Sequence, residues 1–191
     1  MSQAARKLAT WDDIAGFPEG TRVEIVHGEI ISSPSPGPRH QRIASSLTRF
    51  IGGPFDIDED PGGWWILPEI DVEFSLHDVV QPDIAGWRRA RIPSFPDERP
   101  IRIVPDWICE ILSPSNKRYD VVTKANLYLR FEVPFYWTVD PEERVLQALR
   151  FSAGSWVVLG AFSDGDKARI PPFDAVELDV GRLFPPKSTT S

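Results

Sequence analysis

The amino-acid sequence predicts an α/β or α+β fold that is built around a mixed β-sheet. Strand and helix patterns alternate through the middle of the chain, and strand patterns cluster near its end. A length of 191 residues with 41% hydrophobic content is enough for one substantial core. We therefore expect one domain over residues 10–184, with an N-terminal tail at 1–9 and a C-terminal tail at 185–191.

The first half of the chain predicts a short helix, a hairpin and a longer helix. Thr10 and Asp13 have the spacing of a capping box, which marks the start of a helix. Further on, Ile43, Leu47 and Ile51 recur at helical spacing and form one apolar face. The predicted elements are a helix over 10–16, a hairpin around the turn at 27–28, a loop over 32–38, and a helix from 39 that ends at Pro54.

The second half of the chain predicts mostly strands. In 64–74, apolar residues alternate with Glu69, Asp71 and Glu73, which predicts a strand with these carboxylates on one solvated face. The run over 107–112 is apolar except for Glu110, which is typical of a central strand. Further predictions are strands at 79–87, 135–139, 145–151 and 156–159, and a helix over 116–131 that is capped by Asn116 and ended by Pro134.

The charge balance limits how the chain can meet a nucleic acid. The formal net charge is -7, so the overall field repels polyanions and any such contact needs a local basic patch. The most basic stretch is the loop over 88–102, which we expect to face phosphate groups beside the reactive site. Its arginines are Arg88, Arg89, Arg91, Arg99 and Arg102.

The sequence also argues against several other classes of protein. Cys109 is the single cysteine, which excludes an internal disulfide and a cysteine-built zinc site. The first thirty residues lack the pattern of a secretion signal, and no apolar stretch approaches the roughly 20 residues that span a bilayer. We therefore expect a cytoplasmic protein that does not associate with membranes.

Two acidic residues in apolar surroundings are the leading candidates for a reactive site. Glu110 interrupts the apolar run over 107–112, and Asp83 closes a run that starts at Val79. A carboxylate buried in this way is costly unless it is paired or bound to a metal. On adjacent strands, the two acids could hold a hard cation such as Mg²⁺ or Mn²⁺. A structural salt bridge to one of the arginines explains the same residues, and both interpretations stay open.

A third candidate, Lys124, follows from the geometry of the predicted strand and helix. The position two residues after Glu110, where a lysine would share its face, is occupied by Leu112. A helix that returns antiparallel along the strand rises about 12 Å from 116 to 124, which brings Lys124 to the height of Glu110. We expect the Lys124 ammonium, and also the Asp83 carboxylate, within about 6 Å of the Glu110 carboxylate. The alternative is a solvated helix lysine or a partner of Asp120.

Five motifs occur in order along the chain. They are Arg22-Val-Glu-Ile-Val-His-Gly-Glu29, Ser35 with His40-Gln41, Val80-Gln-Pro-Asp83, Glu110-Ile-Leu-Ser-Pro-Ser115 with Asp120 and Lys124, and Tyr136-Trp137 with Val139-Asp140. This ordered set resembles the Uma-two family, a group of bacterial endonuclease-like proteins within the PD-(D/E)XK nuclease superfamily. The resemblance covers about residues 10 to 180, and the chain departs from the commoner family pattern at His27.

The resemblance implies a restriction-endonuclease-like core, in which helices and additional β-hairpins flank a central mixed sheet. The metal ligands would be Asp83 and Glu110, and the catalytic lysine would be Lys124. The N-terminal hairpin would add an acidic contribution from Glu24 and Glu29. The implied cofactor is Mg²⁺, with Mn²⁺ as a substitute. The implied partner is nucleic acid, with DNA as the expected one, and a nuclease that cuts both strands often works as a homodimer.

The resulting hypothesis is an endodeoxyribonuclease that hydrolyses phosphodiester bonds with metal-activated water. Arg88, Arg89 and Arg91 would hold flanking phosphates. His40 lies at a predicted helix start, where it either faces phosphate and the site or is a plain capping or surface histidine. The rival hypothesis is an inactive nuclease fold that binds nucleic acid or a protein partner. A glycosidase-type carboxylate pair ranks last, because it leaves Lys124 and the arginines unexplained.

Overall fold

Two β-sheets and a short ribbon dominate the computed structural model, which describes residues 7–18, 20–114 and 117–187. In these residues no helix is long and apolar enough to cross a membrane. The strands are β1 (Arg22–Val26), β2 (Glu29–Ser33), β3 (Trp64–Pro68), β4 (Val72–Ser75), β5 (Asp78–Val80), β6 (Ile84–Arg88), β7 (Trp107–Ile111), β8 (Phe135–Asp140), β9 (Val145–Ser152), β10 (Ser155–Ser163), β11 (Lys167–Ala168) and β12 (Leu178–Asp179).

The helices are short, and two of them contain wide π-type turns. The predicted capping box is confirmed, because the Thr10 amide donates a hydrogen bond to Asp13 at 2.9 Å. Pro54 does not end its helix as predicted, since wider turns accommodate a residue that lacks an amide donor. Asn116, the predicted cap of the later helix, lies outside the described residues. The helices are α1 (Trp11–Ile14), α2 (Pro38–Leu47) with its π-helical continuation Thr48–Ile57, π-helical Tyr119–Lys124 continuing into α3 (Ala125–Arg130), and a 3₁₀ turn at Val180–Leu183.

The larger sheet has six strands in the order β10-β9-β8-β7-β6-β3. Its central pair β7–β8 is parallel and the other pairs are antiparallel, so the prediction of a mixed sheet is confirmed. The smaller sheet has the order β2-β1-β5-β4. Its β1–β2 hairpin turns at His27 and Gly28, whose φ angles of 52° and 75° suit a two-residue turn with both positions left-handed.

Two predicted strands are each split between the two sheets. The run over 64–74 breaks at Glu69, which has a φ of 48°, and the run over 79–87 breaks at Pro82, which has no amide to donate to a strand partner. The predicted solvated face is also wrong at Asp71, which is buried and pairs with Arg99 at 2.7 Å. The second break places Asp83 at the point where the chain passes from the small sheet into the large one.

The central strand β7 separates two hydrophobic clusters. Trp107, Cys109 and Ile111 pack in the cluster that α2 covers. Ile108 packs in the other cluster, which contains residues of α3. Because side chains alternate along a strand, Glu110 points to the α3 side with Ile108. The sheet therefore places the Glu110 carboxylate on the side of the helical segment that carries Lys124.

Candidate active site

A cavity of about 210 Å³ lies where the β1–β2 hairpin, the start of α2, the junction before β6 and the segment Tyr119–Lys124 meet. We call it the acidic cavity. Three carboxylates, one histidine and one lysine on its wall are buried in the protein. These five residues are Glu24, His40, Asp83, Asp120 and Lys124. Residues that lie far apart in the sequence therefore share one small polar space.

Asp83 is held by groups from three different elements. Its Oδ1 lies 2.6 Å from the Arg22 guanidinium, and its Oδ2 accepts a 2.7 Å hydrogen bond from the Ile111 amide. The Nε2 atom of His40 lies 3.0 Å from the same Oδ2. Burial would raise the pKa of Asp83, but the His40 hydrogen bond and the Arg22 charge outweigh it and hold this pKa well below its usual range. Asp83 is thus a fixed carboxylate, and its ion pair is with Arg22.

Glu110 lies deeper and is less completely paired. Strands β6 and β7 are antiparallel, and Ile84 pairs with Cys109. The residue before Ile84, which is Asp83, therefore lies opposite the residue after Cys109, which is Glu110. The Oε1 atom of Glu110 accepts a 2.5 Å hydrogen bond from the Tyr128 hydroxyl, whereas its buried Oε2 has no partner among the described residues. Burial raises the pKa of Glu110 to about 8, with Lys124 acting against this and Asp83 adding to it. Glu110 therefore retains one unsatisfied oxygen, but the residue is 1% exposed and is not on the wall of the acidic cavity.

Lys124 is buried between two of the carboxylates. Its ammonium lies 2.7 Å from Glu110 Oε1 and 3.0 Å from Glu24 Oε1, and the residue is 1% exposed. The predicted position of Lys124 beside Glu110 is confirmed. Burial opposes a charge on Lys124, but Glu110 and Glu24 outweigh this and raise its pKa. The solvated-lysine alternative is wrong, because the segment Tyr119–Lys124 turns this side chain into the protein.

Of the two acids of the β1–β2 hairpin, only Glu24 lies on the wall of the acidic cavity, and His40 lies there as well. Glu24 is buried on β1, where its Oε1 accepts a 2.8 Å hydrogen bond from the Gln81 amide. Glu29 is exposed at the start of β2 and is not on the wall of the acidic cavity. His40 is 7% exposed and faces Asp83, so the surface-histidine alternative is wrong.

Three arginines of the loop over 88–102, namely Arg88, Arg89 and Arg91, lie away from the acidic cavity, whereas Arg99 lines a neighbouring cavity that shares Arg22 with it. Arg88 ends β6 and Asp83 precedes it, so about 17 Å of strand separates them. Arg89 pairs with Asp56 at 2.8 Å, and Arg91 pairs with Asp106 at 3.0 Å. The wall of the acidic cavity contains none of these three arginines. The expectation that they flank the same cavity is wrong, because β6 runs away from it, while their contact with nucleic acid stays a prediction.

Three further residues contribute to the site although the sequence analysis assigned them no role in it. Arg22 opens the hairpin motif, but a pattern does not show that its guanidinium reaches Asp83 across 61 positions. Tyr128 lies within the predicted helix over 116–131, and its hydroxyl donates a hydrogen bond to Glu110. Burial raises the pKa of Asp120 to about 6, with Lys124 acting against it. The acids of the cavity therefore span a wide range of proton affinities.

The side chains of the site can be compared with the ligands that a divalent cation prefers. Within the described part of the chain, no three Asp, Glu, His or Cys side chains already converge as metal ligands. Lys124 and Arg22 neutralise the carboxylates instead. Carboxylate oxygens are nevertheless the ligands that Mg²⁺ and Mn²⁺ prefer, and the buried Oε2 of Glu110 has no hydrogen-bond partner among the described residues. The residues fit a cation of this type.

Comparisons with known proteins agree with this architecture. A family model named Uma2, with the description "Putative restriction endonuclease", matches residues 7–181. A solved structure described as "a putative nuclease belonging to DUF820", from Anabaena variabilis ATCC 29413, has a similar fold with a TM-score of 0.71 and 26% identity, over 92% of this chain and 97% of that one. A search of curated proteins found no match. The predicted fold class and family resemblance are confirmed, and the chain belongs to the Uma2 family.

Proposed function

We propose that the protein is a nuclease that hydrolyses phosphodiester bonds with the help of Mg²⁺ or Mn²⁺. The observation that carries this proposal is the convergence of Asp83, Glu110 and Lys124 at one buried junction. Membership of a family with the description "Putative restriction endonuclease" supports a nucleic-acid substrate, and DNA is the one we expect. A homodimer is the form we expect for cleavage of both strands.

Asp83 and Glu110 would hold the cation, with Glu24 next to them. When bound, such a cation lowers the pKa of a water molecule and neutralises charge on the scissile phosphate. Arg22, His40 and the Ile111 amide fix the Asp83 carboxylate in place. The Tyr128 hydroxyl orients Glu110 through Oε1 and leaves Oε2 for the ligand.

Lys124 would stabilise the negative charge that develops on the phosphate during hydrolysis. Its raised pKa keeps it charged at neutral pH, and its carboxylate partners hold it beside Glu110. A buried, fixed cation is worth more for this purpose than a mobile surface lysine, because it needs no reorganisation during the reaction. Lys124 thus acts on the substrate and not as a metal ligand.

A cleavage assay on plasmid, single-stranded DNA and RNA tests this proposal, with Mg²⁺, Mn²⁺ or EDTA in parallel reactions. We expect cleavage of DNA that requires the cation and that disappears in Asp83→Asn and in Glu110→Gln. Glu143→Gln, which changes an exposed acid on the β8–β9 turn, is the control and should cleave normally. Circular dichroism confirms that each variant is folded. Absence of cleavage in every cation, or cleavage that survives both site variants, would contradict the proposal.

The second candidate is a binding module that no longer cleaves. It is favoured by the ion pairs that already neutralise Asp83 and Glu110 without a metal. Calorimetric titration with Mn²⁺ discriminates between the two. A binding module should show no heat from the acidic cavity and should bind nucleic acid equally well in EDTA, whereas the nuclease should show a Mn²⁺ site that Asp83→Asn removes.

A further inference from the structure

A second cavity, of about 320 Å³, lies between α2 with its π-helical continuation and the chain that follows the 3₁₀ turn at Val180–Leu183. We call it the arginine cavity. Its wall also includes Ser45, Ser46 and two phenylalanines. Four arginines line it, namely Arg42, Arg49, Arg144 and Arg182. Such a concentration of positive charge is unexpected in a protein whose formal net charge is -7.

Three of these arginines have no carboxylate partner in the part of the chain that the structure describes. In the described residues no Asp or Glu oxygen lies within 4.0 Å of Arg42, Arg49 or Arg182, whereas Arg144 pairs with Asp164 at 3.0 Å. The loop over 88–102 shows the opposite pattern, because four of its arginines pair with acids. Like charges held together repel each other, so an unneutralised cluster is best explained by an anionic partner.

Two of the four arginine side chains of this cavity, Arg144 and Arg182, are held in position by ring contacts. The guanidinium of Arg182 lies 4.6 Å from the ring centre of Phe50, and that of Arg144 lies 4.8 Å from Phe184. Arg144 also donates a 2.8 Å hydrogen bond to the Pro185 carbonyl. A stacked guanidinium keeps its N–H edge available, and this edge matches two oxygens of a phosphate group. Of the two stacked arginines, Arg144 already donates to Asp164 and Pro185, so Arg182 is the one whose N–H edge is available to a phosphate.

Helix α2 joins this cavity to the candidate active site. His40 near its start borders the acidic cavity, and Arg42 and Arg49 border the arginine cavity. The nine helical steps from His40 to Arg49, along α2 and the start of its π-helical continuation, span about 14 Å, which corresponds to about four base-pair steps of duplex. A nucleic acid that occupies both cavities would cross over α2.

We propose that the arginine cavity binds phosphate groups of the nucleic-acid backbone, at a distance of several nucleotides from the bond that is cleaved. This inference rests on the proposed function, because it assigns the same substrate a second contact surface. It moves the phosphate-binding surface from the loop over 88–102, where most arginines are already paired, to α2 and the C-terminal segment.

The test measures binding of a labelled duplex of about 30 base pairs by fluorescence anisotropy in EDTA, over a series of salt concentrations. The variant carries Arg42→Ala, Arg49→Ala and Arg182→Ala. The control carries Lys7→Ala, Arg150→Ala and Lys167→Ala, which remove the same charge from exposed positions elsewhere. Loss of three phosphate contacts should reduce the slope of log K against log salt by about 2.7. Between about 50 and 200 mM salt, the wild type should then lose about 40-fold more affinity than the variant.

The control should keep the slope of the wild-type protein, and a triple Arg→Lys variant of the cavity should keep it as well because the charge remains. Equal slope changes in the Ala variant and the control would mean that overall charge alone matters, and this would overturn the inference. A parallel titration with inorganic phosphate separates free phosphate from a backbone. Cavity-dependent binding of free phosphate with an unchanged duplex slope would also overturn it.

Failure of the proposed function and failure of this inference give different results. Binding in EDTA does not require catalysis, so a cavity-dependent slope without any cleavage would leave the inference standing and refute the nuclease. If the protein cleaves DNA but the Ala variant keeps the wild-type salt slope, the nuclease proposal stands and the inference about the arginine cavity is refuted. Thermal melting of each variant confirms that the changes in binding belong to folded protein.

Discussion

Replacing Lys124 with methionine tests whether its ammonium holds the buried carboxylates together. Methionine is similar in length and removes the charge. The ammonium lies 2.7 Å from Glu110 Oε1 and 3.0 Å from Glu24 Oε1. At an effective dielectric constant of about 20, each pair contributes about 6 kcal/mol of attraction, much of which offsets the cost of taking the ions out of water. Removing one partner of a buried pair costs about 3 to 5 kcal/mol, and we expect Lys124→Met to lower the free energy of unfolding by this amount.

The loss should increase with pH because of Glu110. Burial raises the pKa of this group to about 8, so protonation of Glu110 stabilises the folded state at low pH, and this contribution is lost as the pH rises towards 8. Lys124 opposes the rise in the pKa of Glu110, so its removal leaves a carboxylate that is still more costly to ionise. We expect a loss of about 3 kcal/mol below about pH 8, where Glu110 is protonated, and about 4 kcal/mol near pH 9, since one pH unit above its pKa adds at most about 1.4 kcal/mol.

Urea unfolding in EDTA, followed by tryptophan fluorescence and circular dichroism, measures this difference. Lys117→Met is the matched control, because the Lys117 ammonium also lies 2.7 Å from a carboxylate, that of Asp140, but its side chain is 51% exposed. A surface pair of this kind contributes less than about 1 kcal/mol. Similar losses in the two variants, or a loss below about 1 kcal/mol in Lys124→Met, would refute the reasoning.

Three further predictions follow from the same geometry. The side chain of Glu110→Gln stays neutral at every pH. In thermal melts without metal, this variant should therefore lose less stability than the wild type as the pH rises from about 6 to 9. Equal losses in the two proteins would contradict the raised pKa of Glu110. Lys124→Arg should cleave plasmid much more slowly than the wild type, because a planar guanidinium replaces a compact ammonium. A near-normal rate would count against the role of Lys124 in stabilising charge on the phosphate. Gly28→Ala should reduce stability by about 1 to 2 kcal/mol in urea, since an added Cβ would meet Leu8 at 2.6 Å and φ is 75°; an unchanged midpoint would show that Leu8 moves aside freely.

The position of the candidate site could be predicted because its residues break local patterns. Glu110 is conspicuous in an apolar strand, and Asp83 closes another apolar run. Lys124 followed from the rise per residue of a strand and a returning helix, and its 2.7 Å contact with Glu110 confirms that estimate. The ordered motifs supplied the family, which the match over residues 7–181 confirms.

The sequence by itself determined which residues are apolar, which acids are out of place and how far each element rises, since these depend on neighbours along the chain. Only the tertiary structure decided the ion pairs, because Arg22 and Asp83 are 61 positions apart and no local period links them. It also showed that Arg89 and Arg91 are neutralised by acids from other segments, whereas Arg42 and Arg49 have no such partner among residues 7–18, 20–114 and 117–187. Charge composition counts residues, but the electrostatic role of each one depends on burial and on partners that folding brings together.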